Sequence, residues 1–227
     1  MRTSAIILAG GSGSRMNLPI PKQRLKIAGE TVLERCLKIF QKAEKINDII
    51  LVSSSEVLDF SNAVAKKYDK VRKVVIGGNT RAESAKRGFE ALDFECDLVA
   101  IHDASRCFVR NSDIEAVISD ALKYGGATAS TKITDTVKLT DGKGNIEKTV
   151  DRNELRAVQT PQVFKYDLYK IALSSVKCLD ESITDDNSLF EKAGIAVHLT
   201  ETDRNNIKIT YKDDLEYAEF LLAKGDL

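Results

Sequence analysis

The sequence has few of the residues that build metal or disulfide sites. Its four cysteines, Cys36, Cys96, Cys107 and Cys178, are far apart and form no C-x-x-C pair, and the chain has only two histidines. Structural zinc sites need Cys and His ligands at close, regular spacing. We therefore expect no structural zinc site, and we expect the cysteines to be reduced thiols in the cytoplasm.

The sequence also lacks a surplus of charge and long apolar runs. Lysine and arginine together number 34, aspartate and glutamate together number 34, and the formal net charge is zero. Nucleic acids and anionic membranes are usually bound through a basic surplus. The apolar stretch near the N-terminus ends in glycines and is too short for a secretory signal or a membrane span. We expect no nucleic-acid partner, no membrane partner and a cytoplasmic location.

The rest of the chain is arranged around its opening segment, residues 6–22, which reads IILAGGSGSRMNLPIPK. Ile6, Ile7 and Leu8 form an apolar run without alternation, which is typical of a central parallel strand covered on both faces. Three glycines follow this strand. Glycine can adopt positive φ and lets backbone N–H groups approach an anion closely. The three are Gly10, Gly11 and Gly13.

Two cations belong to the same segment. Arg15 offers a planar fork of donors and Lys22 a compact point charge. A polyanion such as a nucleoside triphosphate would satisfy the glycines and the cations together. The loop matches neither common phosphate motif, because it lacks the Lys-Ser or Lys-Thr of a P-loop and Met16 stands where the dinucleotide motif has its third glycine. The alternative interpretation is a glycine-rich turn that binds nothing.

Hydrophobic periodicity predicts a series of alternating strands and helices. This order indicates an α/β fold with a Rossmann-like, mostly parallel sheet and helices on both faces, in a single domain over residues 1–227. Capping-box spacing predicts helix starts at Thr31, Thr80 and Ser112. The predicted strands are 6–8, 48–53, 73–76, 97–103, 127–130, 195–199 and 207–210, and the predicted helices are 31–44, 56–68, 80–92, 112–124, 165–176, 185–193 and 213–223.

A second glycine turn, residues 77–81 (GGNTR), follows the strand predicted over 73–76. Ligands of open parallel sheets bind outside the carboxyl ends of the strands, so we expect both glycine turns at one rim of the sheet. The strand predicted over 97–103 should bring His102, Asp103 and Arg106 to the same rim. Asp103 would alternatively be an ordinary turn or helix-cap aspartate.

Residues 134–140 and 146–151 alternate polar and β-branched side chains around the turn sequence Asp-Gly-Lys-Gly. This pattern predicts a β-hairpin instead of another strand-helix unit. A two-stranded ribbon is only marginally stable in water. We therefore expect an arm over about 134–157 that packs on something else, most simply a second subunit of a homodimer.

Nine segments, in order along the chain, resemble one family over about residues 5–222. This family is the 2-C-methyl-D-erythritol 4-phosphate cytidylyltransferases of the non-mevalonate isoprenoid pathway. Each segment alone is weak, but their shared order is specific. The segments are LAGGSGSRM, PKQ, GGNTRAES, HDASR, DTVK, TVDR, QTPQ, TDD and NIKIT.

The resemblance implies a nucleotidyltransferase-type fold and a reaction in which CTP and a polyol phosphate give a CDP-polyol and pyrophosphate, with Mg²⁺. It also implies that the hairpin arm crosses to the partner subunit of a homodimer. Roles carry over by matching position. They are Arg15, Lys22 and Lys208 for catalysis; Ala9, Gly10, Gly11, Gly13, Gly78, Asn79 and Ser84 for the nucleotide; Asp103 for the metal; and Arg106, Thr136, Arg152 and Thr184 for the polyol phosphate.

Two positions depart from the family pattern. Cys107 stands where proline usually follows the HDASR segment, and Arg24 stands where an aromatic residue commonly follows PKQ. We expect Cys107 to loosen the loop that bears Arg106, and Arg24 to add charge beside the triphosphate loop. Neither change removes a residue that the chemistry needs, so the departures affect the identity of the polyol more than the reaction.

Three alternatives compete with this interpretation. A related cytidylyltransferase that uses ribitol 5-phosphate or another polyol phosphate for cell-envelope polymers shares several of the segments. A catalytically idle nucleotide-binding regulator would have the same fold, but it would have no need for Arg15, Lys22, Asp103 and Lys208 together. A Rossmann oxidoreductase is disfavoured because its third loop glycine is missing.

Overall fold

The computed structural model describes residues 1–11, 16, 20–180 and 182–225. The described elements are strands β1 (Thr3–Ala9), β2 (Lys26–Ile27), β3 (Glu30–Thr31), β4 (Asp48–Ser53), β5 (Val71–Ile76), β6 (Leu98–Asp103), β7 (Gly126–Lys132), β8 (Val137–Thr140), β9 (Ile146–Val150), β10 (Arg156–Lys165) and β11 (His198–Glu201), and helices α1 (Val32–Lys42), α2 (Leu58–Ala65), α3 (Arg81–Glu90), α4 (Asn111–Tyr124), α5 (Tyr166–Ser174), α6 (Asn187–Lys192) and α7 (Asp213–Lys224).

A seven-stranded sheet in the order β11-β7-β10-β6-β1-β4-β5 forms the centre of the fold. β1 pairs in parallel with both β4 and β6, β4 with β5, and β7 with β11. β10 is antiparallel to its two neighbours, β6 and β7. β2 with β3 and β8 with β9 form separate two-stranded pairs. The mostly parallel α/β fold predicted from the sequence is therefore confirmed.

The sheet is buried on both faces, which explains the apolar runs without alternation. Successive residues of a strand point to opposite faces, and along β1 Ile7 packs into one core while Ile6 packs into the other. The first core includes Leu33 and Phe40 of α1 and side chains of α2, α4 and α7. The second core includes Phe89 of α3 and side chains of α5 and α6. Helices thus cover both faces, as predicted.

Helix starts follow the capping prediction in part. The Thr31 side chain accepts from the backbone N–H of Glu34, whose carboxylate in turn accepts from the Thr31 backbone N–H, so the first capping box is complete. The third prediction is wrong. α4 begins at Asn111, before Ser112, and no side chain caps it.

Two strand assignments also differ from the sequence interpretation. β10 was missed because it is rich in polar residues and contains Pro161, which follows a cis peptide bond. The predicted strand 207–210 is not a strand: Ile209 is buried and its N–H donates to the Ser105 carbonyl at 2.9 Å, but the segment joins no ladder. In β10, polar residues obscured a strand that is paired in the sheet. At Ile209, an apolar side chain is buried although its segment pairs with no strand.

The described helices are all short. The longest, α4, has 14 residues, and none within the described part of the chain is long and apolar enough to span a bilayer.

Candidate active site

The carboxyl ends of β1 and β6 and the turn after β5 surround a cavity of about 440 Å³. Both glycine turns and the end of β6 reach this cavity, so the prediction that they share one rim is confirmed. The side chains and backbone that line it come from several separate segments. They are Leu8, Gly10, Gly11, Lys22, Gln23, Val32, Gly78, Asn79, Thr80, Arg81, Ser84, Asp103, Ala104, Ser105, Lys208 and Thr210.

The loop after β1 is held to the following turn by Gln23. Its side-chain amide donates to the carbonyls of Ala9 and Gly11, the second at 2.9 Å. Gln23 and Lys22 lie on a 3-10 turn, and both are buried despite their polarity. Lys22 lines the cavity, as expected for a residue that meets a polyanion.

Two residues of the predicted triphosphate loop, Gly13 and Arg15, lie outside the described residues. Neither Gly10 nor Gly11 has positive φ, so the expectation that these two glycines are needed for that conformation is wrong. A Cβ added at Gly11 would meet nothing within 4 Å. Without a side chain, the backbone at these glycines is open to a ligand.

The second glycine turn is held by side chains of α3, the helix that follows it. The Gly78 N–H donates to Ser84 Oγ at 3.1 Å, and the Asn79 N–H donates to a Glu83 carboxylate oxygen at 2.7 Å. Thr80 Oγ1 accepts from the Glu83 N–H at 3.0 Å, so Thr80 caps α3 while Glu83 serves Asn79 and not the cap residue. A Cβ at Gly78 would lie 2.3 Å from Glu83 Cβ. The turn therefore requires glycine at this position for close packing.

Asp103 ends β6 at the rim and is paired with two cations. Lys208 Nζ lies 2.7 Å from Oδ2, and Arg81 Nε lies 3.2 Å from Oδ1. Burial by itself raises the pKa of Asp103, but the positive charges of Arg81 and Lys208 outweigh it and hold the pKa well below its usual range. The carboxylate is therefore ionised at neutral pH, although only 8% of the residue is exposed.

His102 does not reach the cavity, which corrects the expectation that it would join the rim. Its ring is fully buried against Phe40, with centroids 4.7 Å apart. Nδ1 lies 3.0 Å from Thr160 Oγ1 and Nε2 lies 3.1 Å from the carbonyl oxygen of Arg106. Burial lowers the pKa of His102 to about 4, so the ring is neutral. With Nε2 donating to the carbonyl, Nδ1 is the acceptor, and the histidine supports the turn after Asp103.

None of the residues assigned to the polyol phosphate is among those that line the cavity. Arg106 is half-buried, donates to the Asn206 carbonyl at 2.9 Å and is not part of the cavity lining. Thr136 and Arg152 are exposed at the base of the β8–β9 arm, where Arg152 donates to the Thr134 carbonyl. Thr184 is exposed before α6, with Oγ1 3.3 Å from Ser188 Oγ.

The cavity residues could hold a divalent cation only if a bound ligand supplied further oxygen atoms. Within the described residues, no group of three or more His, Cys, Asp or Glu side chains is placed to hold a metal ion. Asp103 is the carboxylate among the residues that line the cavity. Mg²⁺ is commonly bound by one or two carboxylates together with substrate phosphates and water. An ionised Asp103 beside a triphosphate would meet that requirement.

The two departures from the family pattern have local explanations. Cys107 is buried, and burial raises its pKa to about 12, so it is an inert thiol in the core. The turn before it is held by the contacts of His102 and Arg106 described above. Arg24 lies over the Phe60 ring, 5.5 Å from its centroid, and does not line the cavity. The added charge at position 24 is therefore not among the described residues that line the cavity.

The sequence interpretation missed three residues that organise the site: Gln23, Arg81 and Thr160. Gln23 and Arg81 line the cavity, and Thr160 accepts from the Asp103 N–H at 3.1 Å. Each lies within a segment that carried the family resemblance (PKQ, GGNTRAES and QTPQ). Their inclusion in those segments was the only available signal, because their partners are distant in sequence.

Comparison with known proteins gives matches over nearly the whole chain. The family model described as IspD, 2-C-methyl-D-erythritol 4-phosphate cytidylyltransferase, matches residues 3–224. A curated protein of that name from Clostridium acetobutylicum is 40% identical over 228 residues, covering 98% of both chains. Another, from Caldanaerobacter subterraneus subsp. tengcongensis, is 40% identical over 229 residues and covers 99% of this chain and 100% of the relative.

Solved structures are similar in the same way. The crystal structure of 4-diphosphocytidyl-2C-methyl-D-erythritol synthase from Anaerococcus prevotii DSM 20548 has a TM-score of 0.85 and 32% identity, covering 98% of this chain and 96% of that one. The crystal structure of 2-C-methyl-D-erythritol 4-phosphate cytidylyltransferase from Thermus thermophilus has a TM-score of 0.78 and 28% identity, with coverages of 98% and 100%. Sequence and backbone therefore indicate the same relationship.

Proposed function

The chain belongs to the 2-C-methyl-D-erythritol 4-phosphate cytidylyltransferase family, and we propose that it transfers the cytidylyl group of CTP to 2-C-methyl-D-erythritol 4-phosphate. The products are the CDP-polyol and pyrophosphate, in the synthesis of isoprenoid precursors. One observation carries the proposal on the structural side. Lys22, Lys208 and an ionised Asp103 meet two glycine turns in a single cavity.

The reaction needs positioning and charge neutralisation more than covalent chemistry from the protein. A phosphate oxygen of the polyol phosphate forms a bond to the α-phosphorus of CTP, and the bond from that phosphorus to the bridging oxygen of the β-phosphate breaks. The electron pair leaves with pyrophosphate. No side-chain nucleophile is required, which agrees with the absence of a nucleophile-and-base pair among the described residues that line the cavity.

Cations would supply most of the rate enhancement. We assign Arg15 and Lys22 to the triphosphate, where they would stabilise charge on the equatorial oxygens and the leaving pyrophosphate. Lys208 would lie near the α-phosphate. Its 2.7 Å contact with Asp103 holds the ammonium group at the cavity. Because Lys22 and Lys208 already lie at the cavity, little reorganisation of these groups is needed in the transition state.

The two glycine turns would hold the nucleotide. Ala9, Gly10, Gly11 and Gly13 would line the triphosphate side, where the glycines have no side chain to cover the backbone. The turn after β5 would read the base and ribose, with Ser84 buried and its hydroxyl donating to the Thr80 carbonyl at 2.9 Å. The residues assigned to this second role are Gly78, Asn79 and Ser84.

We assign Mg²⁺ to Asp103. When bound with the triphosphate, Mg²⁺ neutralises phosphate charge and helps to orient the reacting groups. The part played by this chain is to keep Asp103 ionised, through the charges of Arg81 and Lys208, at a fixed place at the end of β6.

The polyol phosphate side would be completed by a second subunit. Arg106 and Thr184 lie in the body of the chain, whereas Thr136 and Arg152 lie at the base of an arm whose strands pair with each other and not with the central sheet. The arm exposes apolar side chains, with Leu139 44% and Ile146 65% exposed. A homodimer in which each arm reaches the other cavity would bury these groups and bring Arg152 to the substrate.

We further propose that residues 1–227 act as a single cytidylyltransferase domain with an arm excursion over about 134–157, in the cytoplasm, with no nucleic-acid or membrane partner. The balanced formal charge supports the last point, because no basic surplus is present to attract polyanionic surfaces.

Pyrophosphate release measured with CTP and a panel of polyol phosphates tests the function. We expect release with 2-C-methyl-D-erythritol 4-phosphate and little with ribitol 5-phosphate, and ATP in place of CTP should support much less turnover. Release only with ribitol 5-phosphate would move the chain to the cell-envelope enzymes. Tight CTP binding without release on any polyol phosphate would favour the idle regulator.

A further inference from the structure

Arg81, the first residue of α3, joins two carboxylates that come from distant parts of the chain. Its Nε lies 3.2 Å from Asp103 Oδ1, and its Nη1 lies 2.6 Å from Asp186 Oδ2. We infer that Arg81 is a positioning residue that couples the nucleotide side of the cavity, through Asp103, to the segment carrying Thr184, through Asp186. The inference rests on the proposed function and deepens it.

The Asp186 end of this link is buried and hydrogen-bonded. Asp186 is 1% exposed, its Oδ1 accepts from the Tyr169 hydroxyl at 2.7 Å, and its backbone N–H donates to Gln162 Oε1 at 2.9 Å. Thr184 lies only two residues before it in the sequence. The contacts that hold Asp186 therefore also hold Thr184 in its position relative to the cavity.

A second contact joins the same two parts of the chain. Thr80 Oγ1, beside Arg81, donates to the Leu179 carbonyl at 3.0 Å. The start of α3 thus meets the segment before α6 at two points, one neutral and one charged. The charged point is the one that also reaches Asp103.

The two carboxylates differ in how much they depend on Arg81. Asp103 has a second cation, Lys208, 2.7 Å from its other oxygen. Within the described residues, Asp186 has no ion-pair partner besides Arg81. Loss of the only cation beside a buried carboxylate strongly destabilises the folded protein around it. Changes at position 81 should therefore disturb the Thr184 side more than the nucleotide side.

Guanidinium geometry makes the role specific to arginine. A planar fork can donate in two fixed directions to two acceptors, whereas an ammonium group is a point charge on a flexible stem. Lysine at position 81 would keep the positive charge but would lose the two fixed donor directions with which the guanidinium meets both carboxylates. Arg81→Lys therefore separates the positioning role from the charge.

Steady-state kinetics of Arg81→Lys test the inference. We expect KM for the polyol phosphate to rise by about tenfold or more, as for loss of a hydrogen bond to a charged group, while KM for CTP stays within about threefold, because Lys208 still pairs with Asp103. Lys86→Arg is the matched control, since Lys86 lies on the same helix and pairs with exposed Glu90 at 3.7 Å. Equal changes in both KM values, or no change in either, would overturn the inference.

Asp186→Asn tests the other end and covers the case in which Arg81→Lys fails to fold, because it keeps the shape and the acceptor for Tyr169. We expect the same selective rise in KM for the polyol phosphate. In the double variant the two effects on KM should not add, since both substitutions remove the same contact between residues 81 and 186. Additive effects in the double variant would contradict a shared link.

Hydrogen exchange provides a readout that does not depend on turnover. Peptides covering 179–188 should exchange faster in Arg81→Lys than in the wild type or Lys86→Arg, because the link to Asp186 is lost. If the wild type releases no pyrophosphate with any polyol phosphate, the proposed function fails while this exchange difference still tests the link. Unchanged exchange over 179–188 would refute the link, whatever the activity.

Discussion

Two regions carry the residues assigned to the substrates, and they differ in burial. At the cavity, Lys22 and Asp103 are only 9% and 8% exposed and are surrounded by other segments of the same chain. In the arm, every residue from 138 to 149 is exposed, and Arg152 beside it donates to the backbone of nearby Thr134. The cavity assigned to the nucleotide is thus assembled by one chain, whereas the arm exposes the groups assigned to the polyol phosphate.

This difference in burial shows which side chains the chain holds in place by itself. Buried polar groups must be paired, so the cavity residues fix one another through hydrogen bonds and ion pairs. Exposed groups on a two-stranded ribbon have no such constraint and need an external surface. The following predictions test whether cavity and arm really belong to one site.

Lys22→Ala should have the largest effect. We expect turnover to fall by about 10²–10³, because one preorganised donor to the transition state is lost, while circular dichroism and the thermal midpoint stay close to wild type. The matched control is Lys26→Ala, which removes an exposed lysine of β2. Near-normal turnover in Lys22→Ala would remove this residue from the catalytic group.

Mixing the Lys22→Ala and Arg152→Ala variants, assayed at a polyol phosphate concentration well below the KM of Arg152→Ala, should restore activity if the arm crosses between subunits. A dimer that combines Lys22→Ala and Arg152→Ala chains contains one site with both residues intact. Random exchange of equal amounts would then recover roughly a quarter of wild-type activity. The measurement is pyrophosphate release before and after subunit exchange, and no recovery despite verified exchange would place Arg152 in the site of its own chain.

Arg152→Ala alone should act on one substrate. We expect KM for the polyol phosphate to rise about ten- to hundredfold, from loss of a charged hydrogen bond, with CTP binding unchanged by calorimetry. Lys143→Ala, in the exposed turn of the same arm, is the control. Weaker CTP binding with normal polyol kinetics would reassign Arg152 to the nucleotide.

Burial of His102, next to Asp103 in β6, predicts a pH dependence of the free energy of unfolding. The pKa of His102 is lowered to about 4 by burial, against about 6.5 when unfolded. The unfolded state therefore binds the proton first, and stability present above pH 6.5 is lost as the pH falls towards 4. Between about pH 7.5 and pH 5 we expect the free energy of unfolding to fall by about 2 kcal/mol from this group.

Urea unfolding at both pH values measures this effect. His102→Gln should reduce the difference, whereas His198→Gln removes the other histidine, on β11 at the far edge of the sheet, and should leave it in place. An equal reduction in the two variants would exclude burial of His102 as the cause.

Much of the fold was predictable because its signals are local. The apolar runs of β1, β4 and β6 and the capping box at Thr31 depend on neighbours within a few residues. β10 was missed because its polar residues are buried by partners far away in the chain. Gln162, for example, is 1% exposed and donates to Asp185 at 2.8 Å.

The candidate site divides in the same way. Lys22, Gly78 and Asp103 could be proposed from motifs that end predicted strands, and the structure places all three at one cavity. Arg81 could not be given a role, because its two partners are 22 and 105 residues away. His102 was placed at the rim because it precedes Asp103, but alternation along a strand directs consecutive side chains to opposite faces.

By itself, the sequence determined the mostly parallel α/β architecture, the glycine turns at strand ends and the family to which the chain belongs, since these depend on residue order and local spacing. Tertiary structure alone decided which charges meet. The pairing of Asp103 with Arg81 and Lys208, the burial of His102 and the separation of the arm from the central sheet depend on distances between remote segments. Those distances arise only when the cores on the two faces of the sheet are packed.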